Sequence, residues 1–339
     1  MNKLLYFLIV IISWSCTQNS PTEKFQHKRN NIMNIHDKIE EIQMEDILIS
    51  NISRIHLIKD YLVIGDYKAP DKLINIFDKK TFKYITSSTY QGLGPGEIAN
   101  MGYIGVDEDK NKLFVSDHGK QKIFYYDLDS ILKNPDYEPK EKINMNGSLF
   151  PDKYQYINDT LSISLIIEPT GSSGYNQSVA KWNMSTGEII PMKYEHPNIT
   201  QKRINIAANS EINNYVECYS FYDLMTICDL DGNLKFNIYG PNWKTEKSKK
   251  QYYGKVIYCK NNILALYSGE NNFVVTKDKG IKSNHPTQII IFDKNGDYIQ
   301  TLETGYQIID FCYDKDNNRI IMVFNDNIQF GYLDLNGII

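Results

Sequence analysis

The sequence contains no apolar run long enough to cross a bilayer. The longest, Leu4 to Ile12, has nine residues, where a spanning helix needs about twenty. No block of Lys or Arg stands out, and 37 basic side chains face 41 acidic ones, so no nucleic-acid partner is expected. Cysteine is scarce. The five are Cys16, Cys218, Cys228, Cys259 and Cys312, and their spacing fits no zinc pattern. The six histidines are scattered, with no close pair at metal-ligand spacing. No G-x-S-x-G elbow is present. The sequence therefore offers no catalytic residue, no metal ligand set and no cofactor motif. Carboxylate pairs for glycoside hydrolysis stay open, because separation in sequence says nothing of distance. No long amphipathic helix is legible from Ile42 onward.

What is present is a repeat. Short runs of β-branched and aromatic residues alternate with Asn, Asp, Gly and Lys turns, which is a strand pattern. An apolar residue followed by Asp or Asn recurs at Phe77-Asp78, Tyr126-Asp127, Trp182-Asn183, Cys228-Asp229, Phe292-Asp293 and Leu333-Asp334. The spacing of roughly fifty residues is that of one four-stranded blade. Each ending precedes a tight-turn sequence such as Asp231-Gly232-Asn233 or Lys294-Asn295-Gly296. Six endings predict an all-β, six-bladed β-propeller of four-stranded antiparallel blades over residues 42–339. The last ending lies five residues before Ile339, so the final blade lacks a strand. An N-terminal strand is expected to close the ring, with Ile42 to Ile49 available. On that reading truncation up to Gln43 is harmless, and truncation through Ile49 opens an edge. The D-x-D-x-N runs at Asp107 and Asp314 read as hairpin turns. The first lacks the Gly and Glu that a calcium loop needs.

Export signals precede the body. Lys3, the apolar run and Ser15-Cys16 resemble a bacterial lipoprotein signal, with residues 1–15 removed and Cys16 lipidated. Residues 16–41 then read as a flexible tether, the polar stretch of about fifteen residues reaching roughly 20 Å. The partner implied is a membrane, through the lipid. Thr17-Gln18-Asn19-Ser20 lacks the acidic cluster of surface-exported Bacteroidetes lipoproteins, which favours a periplasm-facing location in the cell envelope. Cys218 and Cys228 have two readings, a disulfide across a hairpin or two buried free thiols.

Leu113-Phe114-Val115-Ser116-Asp117 followed by Ile123-Phe124-Tyr125-Tyr126-Asp127 resembles an NHL-type propeller repeat. With Gly92-Leu93-Gly94-Pro95-Gly96-Glu97 upstream, the chain resembles the six-bladed, TolB-like propeller lipoproteins of Bacteroidetes. That resemblance implies fold and envelope location and no particular activity. The first functional reading is a non-catalytic binding or scaffold module using a propeller face, with a glycan or an envelope protein or peptide as ligand. The alternatives are a carbohydrate-active propeller enzyme, glycosidase or lyase, and a metal-dependent lactonase-like hydrolase. Aromatic loops supply the candidate anchors Tyr222 and Trp243, and Glu97 is a candidate polar contributor. The competing reading packs those aromatics between blades and uses Glu97 to bind backbone N–H groups of its own loop.

Overall fold

The computed structural model describes residues 21–44, 46–145, 149–171, 174–275 and 280–339. The signal-like segment and Cys16 lie outside them. Six antiparallel sheets follow one another as the blades of a propeller. Their first strands are Ser53–Ile58, Met101–Asp107, Phe150–Asn158, Ile204–Asn209, Lys250–Cys259 and Ile308–Asp314. Each sheet runs from its first strand outward in chain order, except that N-terminal strands form the outer edge of blades 4, 5 and 6.

The Asp and Asn endings mark the third strand of every blade, and the reason is local. Their side chains accept backbone N–H groups two to four residues on. Asp78 takes Lys80 and Thr81, Asp127 takes Ser130, and Asn183 takes Ser185 and Thr186. Asp229 takes Asp231 and Asn233, Asp293 takes Asn295 and Asp297, and Asp334 takes Asn336. A short side-chain acceptor in place of a ladder bond ends the strand and starts a turn. In four of these turns a glycine at positive φ completes the reversal, as Gly232 (+81°) and Gly296 (+82°) do.

The core is a ring of six seams. Leu73, Ile104 and Tyr126 fill the one between blades 1 and 2, and Phe114, Tyr154 and Trp182 the next. Four further clusters fill the remaining seams, the last, with Ile64, Phe77 and Val323, joining blade 6 to blade 1. Cys218, Cys228 and Cys259 are buried free thiols in these seams. The strand register sets Cys218 opposite Met225 and Cys228 opposite Tyr215, so the two do not face each other.

The N-terminal stretch corrects two expectations. Closure is N-terminal, but the closing strand is Glu40–Glu41, antiparallel to Phe330–Asp334. The described residues of 42–49 form no strand. Ile42, Met44, Ile47 and Ile49 instead cover the apolar seam between blades 6 and 1. The reason is that the open edge of blade 6 is already satisfied by residues 40–41, leaving these apolar side chains only packing to do. Nor are residues 23–41 a free tether. Glu23–Phe25 adds in parallel to the outer strand of blade 4, and Ile32–Asn34 to that of blade 5. The segment is thus a strap along the rims of three consecutive blades. Between its first two strands, Arg29 turns inward. Its Nη1 lies 2.9 Å from Asp223 Oδ1, with the guanidinium among the rings of Tyr253, Tyr267 and Phe292.

Candidate functional site

Several innermost strands carry polar side chains in otherwise apolar surroundings. Arg54 and His56 come from blade 1, Lys153 and Gln155 from blade 3, Asn205 from blade 4, Lys255 from blade 5 and Asp310 from blade 6. All line one cavity of about 720 Å³ on the propeller axis, to which blade 2 adds Gly102 and Tyr103. That volume is in the range of small-molecule sites. Adjacent strands are antiparallel, so the entry to each first strand shares a face with the link between second and third strands. Tyr67, His118 and His285 lie on such links and also line the cavity. The cavity therefore opens on that face.

The lining is held from behind. Tyr67 N–H donates to Ile52 O at 3.0 Å, and His118 N–H to Asn100 O at 2.9 Å. Each bond ties a link to the start of an inner strand. Asp66 and Asp117, which end the second strands, accept the N–H groups of Ser50 and of Ala99 and Asn100. These two carboxylates are buried structural acceptors and point to no ligand role.

Three cations and two carboxylates line the cavity. Lys255 Nζ is 2.6 Å from Asp310 Oδ1, and the Ile55 N–H donates to Asp310 Oδ2 at 2.8 Å. Burial works against the Asp310 charge, but Lys255, Arg54 and the Ile55 N–H outweigh it and hold this carboxyl below the ordinary range. Burial, reinforced by Lys255 and Arg54, pushes His56 down to about 3, so its imidazole is neutral at pH 7. Burial also lowers His285 and raises Tyr103 to about 12. His56 Nε2, His118 Nε2 and Tyr258 OH are buried and have no hydrogen-bond partner on the protein. Among the described residues, no group of three or more His, Cys, Asp or Glu is placed to hold a metal ion.

The residues favoured from sequence stand elsewhere. Tyr222 and Trp243 do come together, with ring centroids 6.0 Å apart. They belong to an aromatic cluster with Tyr239 and His196 at the seam of blades 3 and 4. Tyr222 is buried, and neither residue lines the cavity. Glu97 Oε2 accepts the Gly94 N–H at 2.7 Å. Gly92 and Gly94 leave room for that carboxylate, since a Cβ on Gly92 would lie 2.1 Å from Oε2. Lys120 Nζ donates to the carbonyls of Gly94 and Glu97, both at 2.7 Å, and locks the loop. What sequence reasoning missed is the set of lone polar residues inside apolar first strands, such as Lys255 within Tyr-Gly-Lys-Val-Ile and Asp310 within Ile-Ile-Asp-Phe. That signal is present in the sequence but weak in any one blade.

A family profile described as a 6-bladed beta-propeller, DUF5128, matches residues 26–164. The chain has the six-bladed β-propeller fold. Its likeness to solved structures extends over nearly the whole ring. A putative exported protein from Bacteroides fragilis is 14% identical, with a TM-score of 0.55, over 92% of this chain and 98% of that one. A member of the duf4221 family from Bacteroides vulgatus is 12% identical, with a TM-score of 0.58, over 87% and 95%. A luciferin-regenerating enzyme is 8% identical, with a TM-score of 0.55, over 87% and 94%. At these identities the likeness is one of fold. No curated protein matches the sequence.

Proposed function

We propose that this protein is a binding module of the bacterial cell envelope, taking a small ligand in the mouth of its central channel. The observation that carries the reading is the convergence of inner strands from all six blades on one cavity lined by charged and polar side chains. A non-catalytic role fits the carboxylates better than a glycosidase does. Of the two that line the cavity, Asp310 already has an ammonium on one oxygen and a backbone N–H on the other. That leaves Asp152 without a free partner for acid–base work. The envelope location rests on the Lys3-to-Cys16 segment, whose lipidated cysteine would hold the body at the membrane, facing the periplasm. The Bacteroidetes, TolB-like and NHL-like assignment rests on the residue 92–127 motifs. Tyr222, Trp243 and Glu97 fit this reading as supports of the face around the mouth.

The test is a thermal-shift screen of mono- and oligosaccharides and envelope peptides against detergent-solubilised full chain, repeated with Gln155→Trp. Gln155 is an exposed side chain within the channel, so an indole there fills the cavity without entering a seam. At least one probe should stabilise the wild-type chain and fail with the plugged variant. Hits that the plug leaves unchanged would place binding elsewhere and sink the reading.

A further inference from the structure

The charge arrangement in the channel names a ligand class. This step rests on the channel-binding reading and deepens it. Of the three lining cations, Lys255 is matched by Asp310. The other two are not matched. Arg54 has one hydrogen bond, from Nη1 to the Ser53 carbonyl. Lys153 has one, from Nζ to Asn205 Oδ1 at 3.2 Å. Among the described residues neither has a carboxylate partner within 4.0 Å. The one remaining lining carboxylate, Asp152, has Oδ1 at 3.9 Å from His118 Nε2.

These groups belong to one electrostatic neighbourhood. The Arg54 charge acts on His56, Tyr67, Lys153, His285 and Asp310, so it stands where side chains from opposite blades converge. The Lys153 ammonium opens onto channel water but is walled by protein. That burial, with the like charges of Arg54 and Lys255, pushes its pKa down against the pull of Asp152. An anion that joined the Lys153 ammonium would relieve the repulsion from Arg54 and Lys255. The histidines cannot contribute a compensating charge, because they are either neutral or cationic.

The net charge of the lining sets the charge of the guest. Among the Lys, Arg and Asp side chains of the lining, three cations against two carboxylates leave an excess of one positive charge. A monoanion balances it, whereas a phosphate dianion overshoots. A guanidinium fork fits a planar carboxylate. The rest of the lining includes three amide side chains, Gln155, Asn205 and Gln251. Amides both donate and accept, which suits hydroxyl groups. We propose that the channel mouth selects a hydroxylated carboxylic acid of sugar-acid type, with Arg54 and Lys153 taking its carboxylate.

The experiment is isothermal titration of detergent-solubilised full chain with glucuronate, galacturonate, gluconate, glucose and inorganic phosphate. At least one sugar acid should bind, with glucose and phosphate at least about tenfold weaker, the effect of one well-placed charged contact. Arg54→Gln and Lys153→Gln should each weaken that acid by about tenfold or more while keeping the wild-type melting temperature. Lys153→Arg, which keeps the charge, should retain most of the affinity. If glucose binds as well as the acids and Gln155→Trp abolishes both, carboxylate selectivity is wrong and the channel reading stands. If no sugar acid binds, or the two charge variants bind it normally, the proposal is overturned. If binding survives Gln155→Trp, both readings fall together.

Discussion

Carboxylates in this protein are sorted by where they stand on the blade. At the end of a third strand they make turns, as at Asp229 and Asp293. At the end of a second strand, Asp66 and Asp117 hold the entry to an inner strand. The turn-forming group is local and was legible in the sequence as the sixfold ending. Asp223 differs, because its counter-charge comes from 194 residues away. Arg29 Nη1 meets its Oδ1, while Tyr267 OH donates to Oδ2 at 3.1 Å and the Asn242 N–H at 3.0 Å. No local pattern announces such a pair. Arg29 sits in a polar stretch that composition alone assigns to a linker. Replacing Arg29 with Met keeps its apolar stem and leaves a buried carboxylate without a cation, which costs about 3 kcal/mol. Arg29→Met should therefore lower the melting temperature markedly, and adding Asp223→Asn should recover part of the loss. Additive losses in a thermal-denaturation cycle would show that the two side chains are not coupled.

Among the elements, the strap departs furthest from expectation. Its strands are two or three residues long and lie on blade rims, so they carry no alternating apolar pattern of their own. Phe25 is the exception, stacking on Tyr239 at 4.5 Å. The blade strands were legible because six copies repeat one grammar of apolar strand and polar turn. The strap is used once, and pairing to a distant edge leaves no periodic trace. Two truncations separate its parts. Deletion through Asn31 removes the blade 4 strand and Arg29, whereas deletion through Gln43 also removes the closing strand. Both should lower the melting temperature, the longer one further, and only the longer one frees the edge of blade 6 to pair with another chain. If either truncated chain melts with the wild type, in circular dichroism and with unchanged light scattering, the strap does not stabilise the ring.

For the whole molecule, the sequence disclosed the ring but not the site on its axis. A channel lining is assembled from positions about fifty residues apart, one or two per blade, and no local motif registers their meeting. Conspicuous aromatic clusters drew attention instead, and Tyr222 and Trp243 turn out to be seam packing. The strap also fixes how the body would stand on a membrane. Between Cys16 and Glu23 lie only six residues, which span at most about 20 Å when extended. A lipid on Cys16 would hold the rim of blade 4 toward the bilayer, with the channel axis lying along it. Labels at Lys28→Cys and Lys133→Cys, both exposed positions, report this in vesicles. Quenching by spin-labelled headgroups should be stronger at position 28, on the strap, than at 133, beside blade 2. Equal quenching, or no uptake of an alkyne-tagged fatty acid that depends on Cys16, would remove the anchored orientation.

The strap also imposes an order on assembly. Glu23 reaches Tyr239 across 216 positions, and Glu40 reaches Tyr332 across 292. The first of these segments to be synthesised must therefore wait for the last to arrive. Until Phe330–Asp334 has emerged, blade 6 does not exist and Glu40–Glu41 has nothing to pair with. Joining such distant segments pays a loop entropy that local hairpins avoid, which places closure late and makes it slow. A nascent chain would thus build its early blades by local pairing while their outermost seam still faces solvent, and would be most in need of a holding chaperone just before the strands of blade 6, from Ile308 to Asp334, appear.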